Sequence, residues 1–168
     1  MNIAKVYRYP VKGLSAEALA RVAVTPGEGL PGDRRYALAH GSTPFDPSEP
    51  AWLPKHNFLM LAKNERLAKL ETKFDDATTT LVVSRNGKQV ATGDLSTQTG
   101  RMLIEQFFAA FLTGETRGNP KLVEAPGHMF SDTARKVVSL IGLASLRDLE
   151  RVARQPVDPI RMRANLYF

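Results

Sequence analysis

Thr80-Leu81-Val82-Val83-Ser84-Arg85, Asn86-Gly87 and Lys88-Gln89-Val90-Ala91-Thr92 form one continuous stretch whose reading decides the class of fold. Two runs with β-branched residues flank an asparagine–glycine pair. Asparagine and glycine tolerate the positive φ that a type I′ turn requires, and that turn matches the twist of the strands it joins. The stretch is therefore an antiparallel hairpin. Working back from it, Asn64 is placed to cap a short helix through Leu70, with Glu65 and Lys69 four apart as a supporting pair. Trp52–Leu61 is apolar but irregular, and residues 42–50, with three prolines, read as a loop. Arg34–Ala39 is extended. Gly29-Leu30-Pro31-Gly32-Asp33 is a tight turn, Leu19–Val24 is a strand closed by Thr25-Pro26-Gly27, and residues 2–9 are a strand ended by Pro10.

Forward of the hairpin, Ser96 or Thr97 caps a helix to about Leu112. Leu103, Phe107 and Phe111 form its stripe, Ile104 and Phe108 lie beside it, and Gly114 stops it. Lys121–Glu124 and Lys136–Ile141 are strands. Ser145 and Asp148 resemble a capping box before Leu146, Leu149 and Val152, Pro156 and Pro159 close that helix, and Ile160–Phe168 is a last strand. About eight short strands and two or three helices make a mixed α+β protein, mostly β. The expected architecture is an antiparallel, barrel-like sheet with the helices packed on it, because strands and helices do not alternate as a doubly wound sheet requires.

A chain of 168 residues can bury a core without a disulfide or a metal. It contains no cysteine, which removes thiol nucleophiles, cysteine-ligated zinc, iron–sulfur clusters and any thiolate ligand to molybdenum. His40, His56 and His128 are too scattered in sequence to indicate a metal site. No long apolar run and no signal-peptide core are present, so a cytoplasmic location is expected. The net charge of +6 draws anions, but no block of five or six like charges points to nucleic acid. No phosphate-binding glycine loop follows a strand. Ser15 and Ser139 lack the context of a nucleophile, and Asp75-Asp76 read as solvated turn residues. No catalytic residue is assigned.

What remains is a set of cations at strand–turn junctions. Lys12 follows the bend at Pro10, and Arg34 and Arg35 leave the turn at Gly32-Asp33 toward opposite faces. Arg161, Arg163 and Asn165 share one face of the last strand. Each alone reads more readily as a solvated or locally paired charge, and Asp33 as a carboxylate that bonds turn amides or pairs with an arginine. Together they suit recognition of a phosphate or a polar heterocycle, for which arginine's planar fork is matched.

At these same residues the chain resembles the MOSC family. Tyr9-Pro10-Val11-Lys12-Gly13 is similar to its opening Y-P-[VI]-K-[SG] motif, and Gly29-Leu30-Pro31-Gly32-Asp33-Arg34-Arg35-Tyr36 to its G-L-x-G-D-R-x-[WYF] motif. Trp52-Leu53-Pro54-Lys55 through Arg66-Leu67-Ala68, Phe130-Ser131-Asp132 with Val138-Ser139-Leu140, and Arg161-Met162-Arg163-Ala164-Asn165 follow in family order. The resemblance implies a MOSC N-terminal β-barrel region over residues 1–125 and the start of a MOSC domain over 126–168, packed as one unit. It implies binding of the molybdenum cofactor, molybdopterin, by Lys12, Gly13, Arg34, Arg163 and Asn165. Lys12 and Arg34 would meet the phosphate or pterin, and Arg163 and Asn165 the polar edge. Relatives reduce N-hydroxylated compounds, with a redox partner protein, or handle metal-bound sulfur. The family's metal-binding cysteine lies beyond the R-x-R-x-N strand. A chain ending at Phe168 is therefore expected to be a fragment or a short relative, without cysteine-ligated molybdenum. The competing expectation is a non-enzymatic basic barrel module for an anionic ligand, a protein or, less favoured, a nucleic acid. A pyridoxal-phosphate link through Lys12 is a weaker third, because in cofactor sulfurases the relevant lysine sits in a separate domain.

Overall fold

In the computed structural model, which describes residues 2–168, the hairpin is where the sequence puts it. Strand β5 (Thr80–Arg85) turns at Asn86 and Gly87, with φ of 52° and 73°, into β6 (Lys88–Asp94). Burial alternates along β5, with Leu81 and Val83 inward. A third strand, β4 (Glu71–Asp75), pairs antiparallel with β5. Its sequence, Glu-Thr-Lys-Phe-Asp, has only Phe74 as an apolar anchor, so periodicity does not announce it. Pairing creates it, together with bonds from the Thr72 and Phe74 amides to the Ser15 hydroxyl and the Glu17 carboxylate. Asp75 thus ends a strand, while Asp76 in the turn binds Arg8.

Helix α1 (Gln98–Phe111) covers this sheet, capped by the Thr97 hydroxyl, which accepts from the Gly100 amide at 3.0 Å. Its buried stripe is Gly100, Ile104 and Phe108, not Leu103, Phe107 and Phe111. Leu103 is exposed, and Phe107 and Phe111 are half-buried and stack on each other. Both stripes have a spacing of four, and the close seat of Gly100 on β6 rotates the helix to the one beside it.

Two further sheets complete the fold. In one, β3 (Ala37–Ala39) pairs with β7 (Lys121–Val123), over a cluster that includes Phe58 and Phe130. In the other, the strand order is β2 (Glu17–Ala18), β1 (Lys5–Arg8), β9 (Leu166–Tyr167) and β8 (Leu140–Ile141). Here β1 is antiparallel to both neighbours, and β8 runs parallel to β9. The barrel-like closure expected from the sequence is absent among the described residues: the strands form three separate sheets. Helix α2 (Leu143–Ala153) starts at Gly142, so Ser145 lies inside it rather than capping it.

Two expected strands shorten and a third, Leu19–Val24, does not form, for one reason: backbone without a partner strand does not stay extended. Pairing beyond β2 stops at the Leu19 amide, which donates to the Val6 carbonyl, and Val24 is exposed instead of continuing a strand. Of Lys136–Ile141 only β8 pairs. Of Ile160–Phe168 only β9 does, because Pro159–Met162 takes a turn of 3₁₀ helix and Arg163 a left-handed φ of 51°. Arg161 therefore does not share a strand face with Arg163 and Asn165. Asn64 does stand at the N-cap of a short helix, the 3₁₀ turn Glu65–Lys69, but its side chain makes no capping bond: it accepts from the Met60 amide and donates to Glu115. No helix among the described residues is long and apolar enough to cross a membrane.

The fold buries a pH-sensitive group. His40 is 5% exposed, and its Nδ1 accepts a hydrogen bond from the Arg117 amide at 3.2 Å, which only the neutral ring can do. Burial, and then the charges of Arg117 and His56, hold its pKa below the ordinary 6.5. The unfolded chain therefore takes up this proton first. His40 contributes its full share of stability above about pH 6.5 and loses it as pH falls through the lower folded value. Urea unfolding between pH 7 and 5 is expected to show declining stability, with a slope of at most about 1.4 kcal/mol per pH unit from this group. An H40Q variant is expected to be flatter over that range; His128, held low by burial and then by Lys136, keeps part of the slope.

Candidate anion-binding pocket

Tyr9 is the platform on which the site is assembled. It follows β1 directly and has no exposed surface; its amide donates to the Asp33 carboxylate at 2.7 Å and its hydroxyl to the Ala164 carbonyl at 3.1 Å. Asp33 also pairs with the Arg34 guanidinium. The Arg34 and Arg163 guanidiniums lie over the Tyr9 ring, with centroid distances of 4.9 and 4.3 Å. Burial first, with the nearby Tyr167, pushes the Tyr9 phenol well above its ordinary value, so it stays neutral and donates.

Both arginines have left-handed backbones, with φ of 49° at Arg34 and 51° at Arg163. For residues other than glycine that conformation costs on the order of 1–2 kcal/mol each. The surrounding bonds enforce it. Arg34 accepts from the Phe130 amide and donates its amide to the Tyr9 carbonyl, and its second guanidinium nitrogen donates to the Arg163 carbonyl at 3.1 Å. The Tyr167 hydroxyl, bonded to the Pro159 carbonyl, accepts from the Ala164 amide.

Lys12 enters from the bend after Pro10. Its ammonium donates to the Phe130 carbonyl at 3.0 Å and to the Asp132 carboxylate at 2.5 Å, and lies 5.7 Å from the Phe58 ring centre. Burial pulls the Lys12 pKa down, and Arg34 and Arg163 pull the same way, while Asp132 opposes them. Burial works against ionising Asp132, but the Lys12 hydrogen bond and the charges of Lys12, Arg34 and Lys55 outweigh it and hold that carboxyl below the usual range. At Gly13, φ is +82°, and a β-carbon would sit 2.7 Å from the Leu59 carbonyl oxygen, so only glycine lets the chain pass there.

Lys12, Gly13, Arg34, Asp132 and Arg163 line one hollow of about 480 Å³, to which Lys55 and Arg161 also contribute, while Tyr9 and Asp33 support it from behind. The volume falls within the ordinary range for small-molecule sites. Lys12, Gly13, Arg34, Arg163 and Asn165, which are scattered in sequence, are all brought to it. They are not equivalent. Asn165 is 1% exposed and its amide is spent on the fold: the oxygen accepts from the Ser139 amide and hydroxyl, and the nitrogen donates to the Tyr7 carbonyl. Arg34 and Lys12 are paired with carboxylates. The Arg163 guanidinium differs. Among the described residues it makes no ion pair and no side-chain hydrogen bond, although burial first, and then Arg34, press its pKa below the usual value. Arg35 points away, to Glu124 on β7's side.

Three participants were not singled out by the sequence. Tyr9 is hidden inside its motif, because an aromatic before a proline reads as a strand end. Asp132 and Lys55 fall in stretches that resemble family segments, but nothing local marks either as a site residue. Among the described residues no group of three or more histidine or acidic side chains is placed to hold a metal ion.

The comparison with protein families takes in the motifs up to Asp132. Residues 1–132 match the family described as the MOSC N-terminal beta barrel domain. No curated protein and no solved structure matches the chain. Because the match takes in most of the sequence, from the bend at Lys12 to Asp132 at the mouth of the hollow, the chain belongs to the MOSC N-terminal beta barrel domain family.

Proposed function

We propose that this pocket binds a phosphorylated, planar, hydrogen-bonding heterocycle, and that molybdopterin, the cofactor associated with the MOSC family, is its ligand. The observation that carries the reading is Arg163. A guanidinium laid on a buried tyrosine, beside two other cations and without a carboxylate of its own, is a costly arrangement unless an anion completes it. Arg163 supplies the planar fork for a phosphate, with Lys55 and Arg161 at the rim. The backbone at Gly13 offers polar contacts for a ring edge, whereas the Ser131 and Ser139 hydroxyls are bonded within the fold.

The fit extends to the phosphate and the ring but not to the metal. None of the 168 residues is a cysteine, so this chain provides no thiolate to molybdenum. When bound, the cofactor supplies oxygen- or sulfur-transfer chemistry at its metal. The residues described here bind and orient it, and no catalytic step is assigned to them. In this reading residues 1–125 form the MOSC N-terminal region and 126–168 begin a MOSC domain seated against it. The setting is cytoplasmic, and the activity of complete relatives is reduction of N-hydroxylated compounds, with a redox partner, or carriage of metal-bound sulfur.

Anaerobic titration with isolated molybdopterin, followed by pterin fluorescence at low ionic strength, is expected to saturate at one ligand per chain. Absence of saturable binding under those conditions would remove the proposal.

A further inference from the structure

The Lys12–Asp132 pair is lopsided. The lysine side chain is 7% exposed and the aspartate side chain is 69% exposed, yet they meet at 2.5 Å. A buried ammonium needs a counter-charge, whereas a solvated carboxylate can leave at little cost. The Asp132 carboxylate makes no other side-chain bond among the described residues, whereas Lys12 retains the Phe130 carbonyl whether or not Asp132 stays. Phe130 is itself fixed, being buried with its amide bonded to the Arg34 carbonyl. Asp132 is thus the one detachable member of the cluster, and it sits where an incoming anion would meet Lys12.

From this we infer that Asp132 is a resident counter-anion occupying the Lys12 end of the pocket, which the ligand's anionic group must displace. The inference rests on the reading of the pocket as an anion site and adds its control. With Asp132 seated, the cations Lys12, Arg34 and Arg163 face two carboxylates, Asp33 and Asp132. Once Asp132 swings out, only Asp33 remains, and the hollow offers a net charge suited to a multiply charged phosphate. Weak or singly charged anions do not repay the exchange, so Asp132 acts as a specificity residue. It keeps Lys12 compensated in the free protein and sets a threshold for what may replace it.

Calorimetric titration with pyrophosphate at about 0.1 M salt, where charges beyond roughly 10 Å are screened, tests this on the full chain. The D132N variant is expected to bind pyrophosphate about five- to tenfold more tightly than the native chain. An E28Q variant, which removes a comparably exposed charge paired with Lys136, is expected to leave binding unchanged. On a K12M background the gain from D132N is expected to fall to less than about twofold, because the exchange has lost its object and only the weaker influence of Asp132 on Arg34 and Arg163 remains. Equal or weaker binding by D132N, or an undiminished gain on the K12M background, overturns the exchange while native binding keeps the pocket reading intact. If neither the native chain nor D132N binds, the pocket reading falls and the exchange falls with it.

Discussion

The R163Q variant is expected to bind molybdopterin about 100-fold more weakly than the native chain while melting within about 3 °C of it. The separation of the two effects follows from what Arg163 lacks. Removing it breaks no ion pair and no side-chain hydrogen bond. The lost stacking on Tyr9, worth about 0.5–2 kcal/mol, is offset by relief of the repulsion from Arg34 and of the burial of an uncompensated charge. Ligand binding has no such offset, since the fork that would meet the phosphate is gone.

The R163G variant sharpens the same test. Glycine accepts the φ of 51° without strain, so this variant is expected to be as stable as the native chain or more so, and equally defective in binding. R34Q is the contrasting case. It strands the Asp33 carboxylate, whose side chain is fully buried, and is expected to cost about 3 kcal/mol of stability as well as affinity. Fluorescence titration beside urea melts of the three variants checks the pattern. Native-like affinity in both Arg163 variants would mean that this guanidinium does not meet the ligand.

What the sequence disclosed and what it hid divide along a physical line. Asn86-Gly87 announced its hairpin, and Thr97 and Gly114 announced the limits of α1, because each acts through bonds and torsions local to itself. β4 was invisible because its only strong claim to extension is the partner β5, together with Ser15 and Glu17 from far upstream. The last strand was overread for the opposite reason. Ile160 to Phe168 is apolar enough for a strand, but the Tyr167 hydroxyl and the Ala164 backbone fold it into a turn. The site shows the same division. Lys12, Arg34 and Arg163 stood out as cations beside rigid bends, and they converge on one hollow. The Arg34–Asp33 pair joins chain neighbours and was open to the sequence; that Lys12 is shielded by Asp132 and that Arg34 reaches the Arg163 carbonyl depends on contacts 120 and 129 positions apart. No window along the chain contains that information.

The G100A variant is expected to be the most damaging small substitution in the fold, although alanine is the better helix former. Gly100 lies in the first turn of α1, where the helix presses onto the end of β6. A β-carbon there would stand 2.0 Å from the Asp94 carbonyl oxygen and 2.6 Å from the Asp94 nitrogen. Gly93 faces it, and its own β-carbon would lie 2.3 Å from the Gly100 carbonyl oxygen, so two backbones are in contact with no side chain between them. The obstacle on each side is backbone held in a hydrogen-bonded element, and neither can give by an ångström without breaking the β5–β6 ladder or the Thr97 cap. The propensity gain of alanine over glycine is only about 1 kcal/mol, whereas lifting the helix off the sheet also unseats Ile104 and Phe108 from the main core. A net loss of about 3 kcal/mol or more is expected, lowering the melting temperature by roughly 6–12 °C. G114A provides the contrast. Its β-carbon meets nothing within 4 Å, so only the φ of +84° resists it, and the cost is expected near 1–2 kcal/mol. If G100A melts with or above G114A, then α1 does not rest on β6 through bare backbone, and the choice of Ile104 and Phe108 over Leu103 and Phe107 as its inward stripe loses its cause.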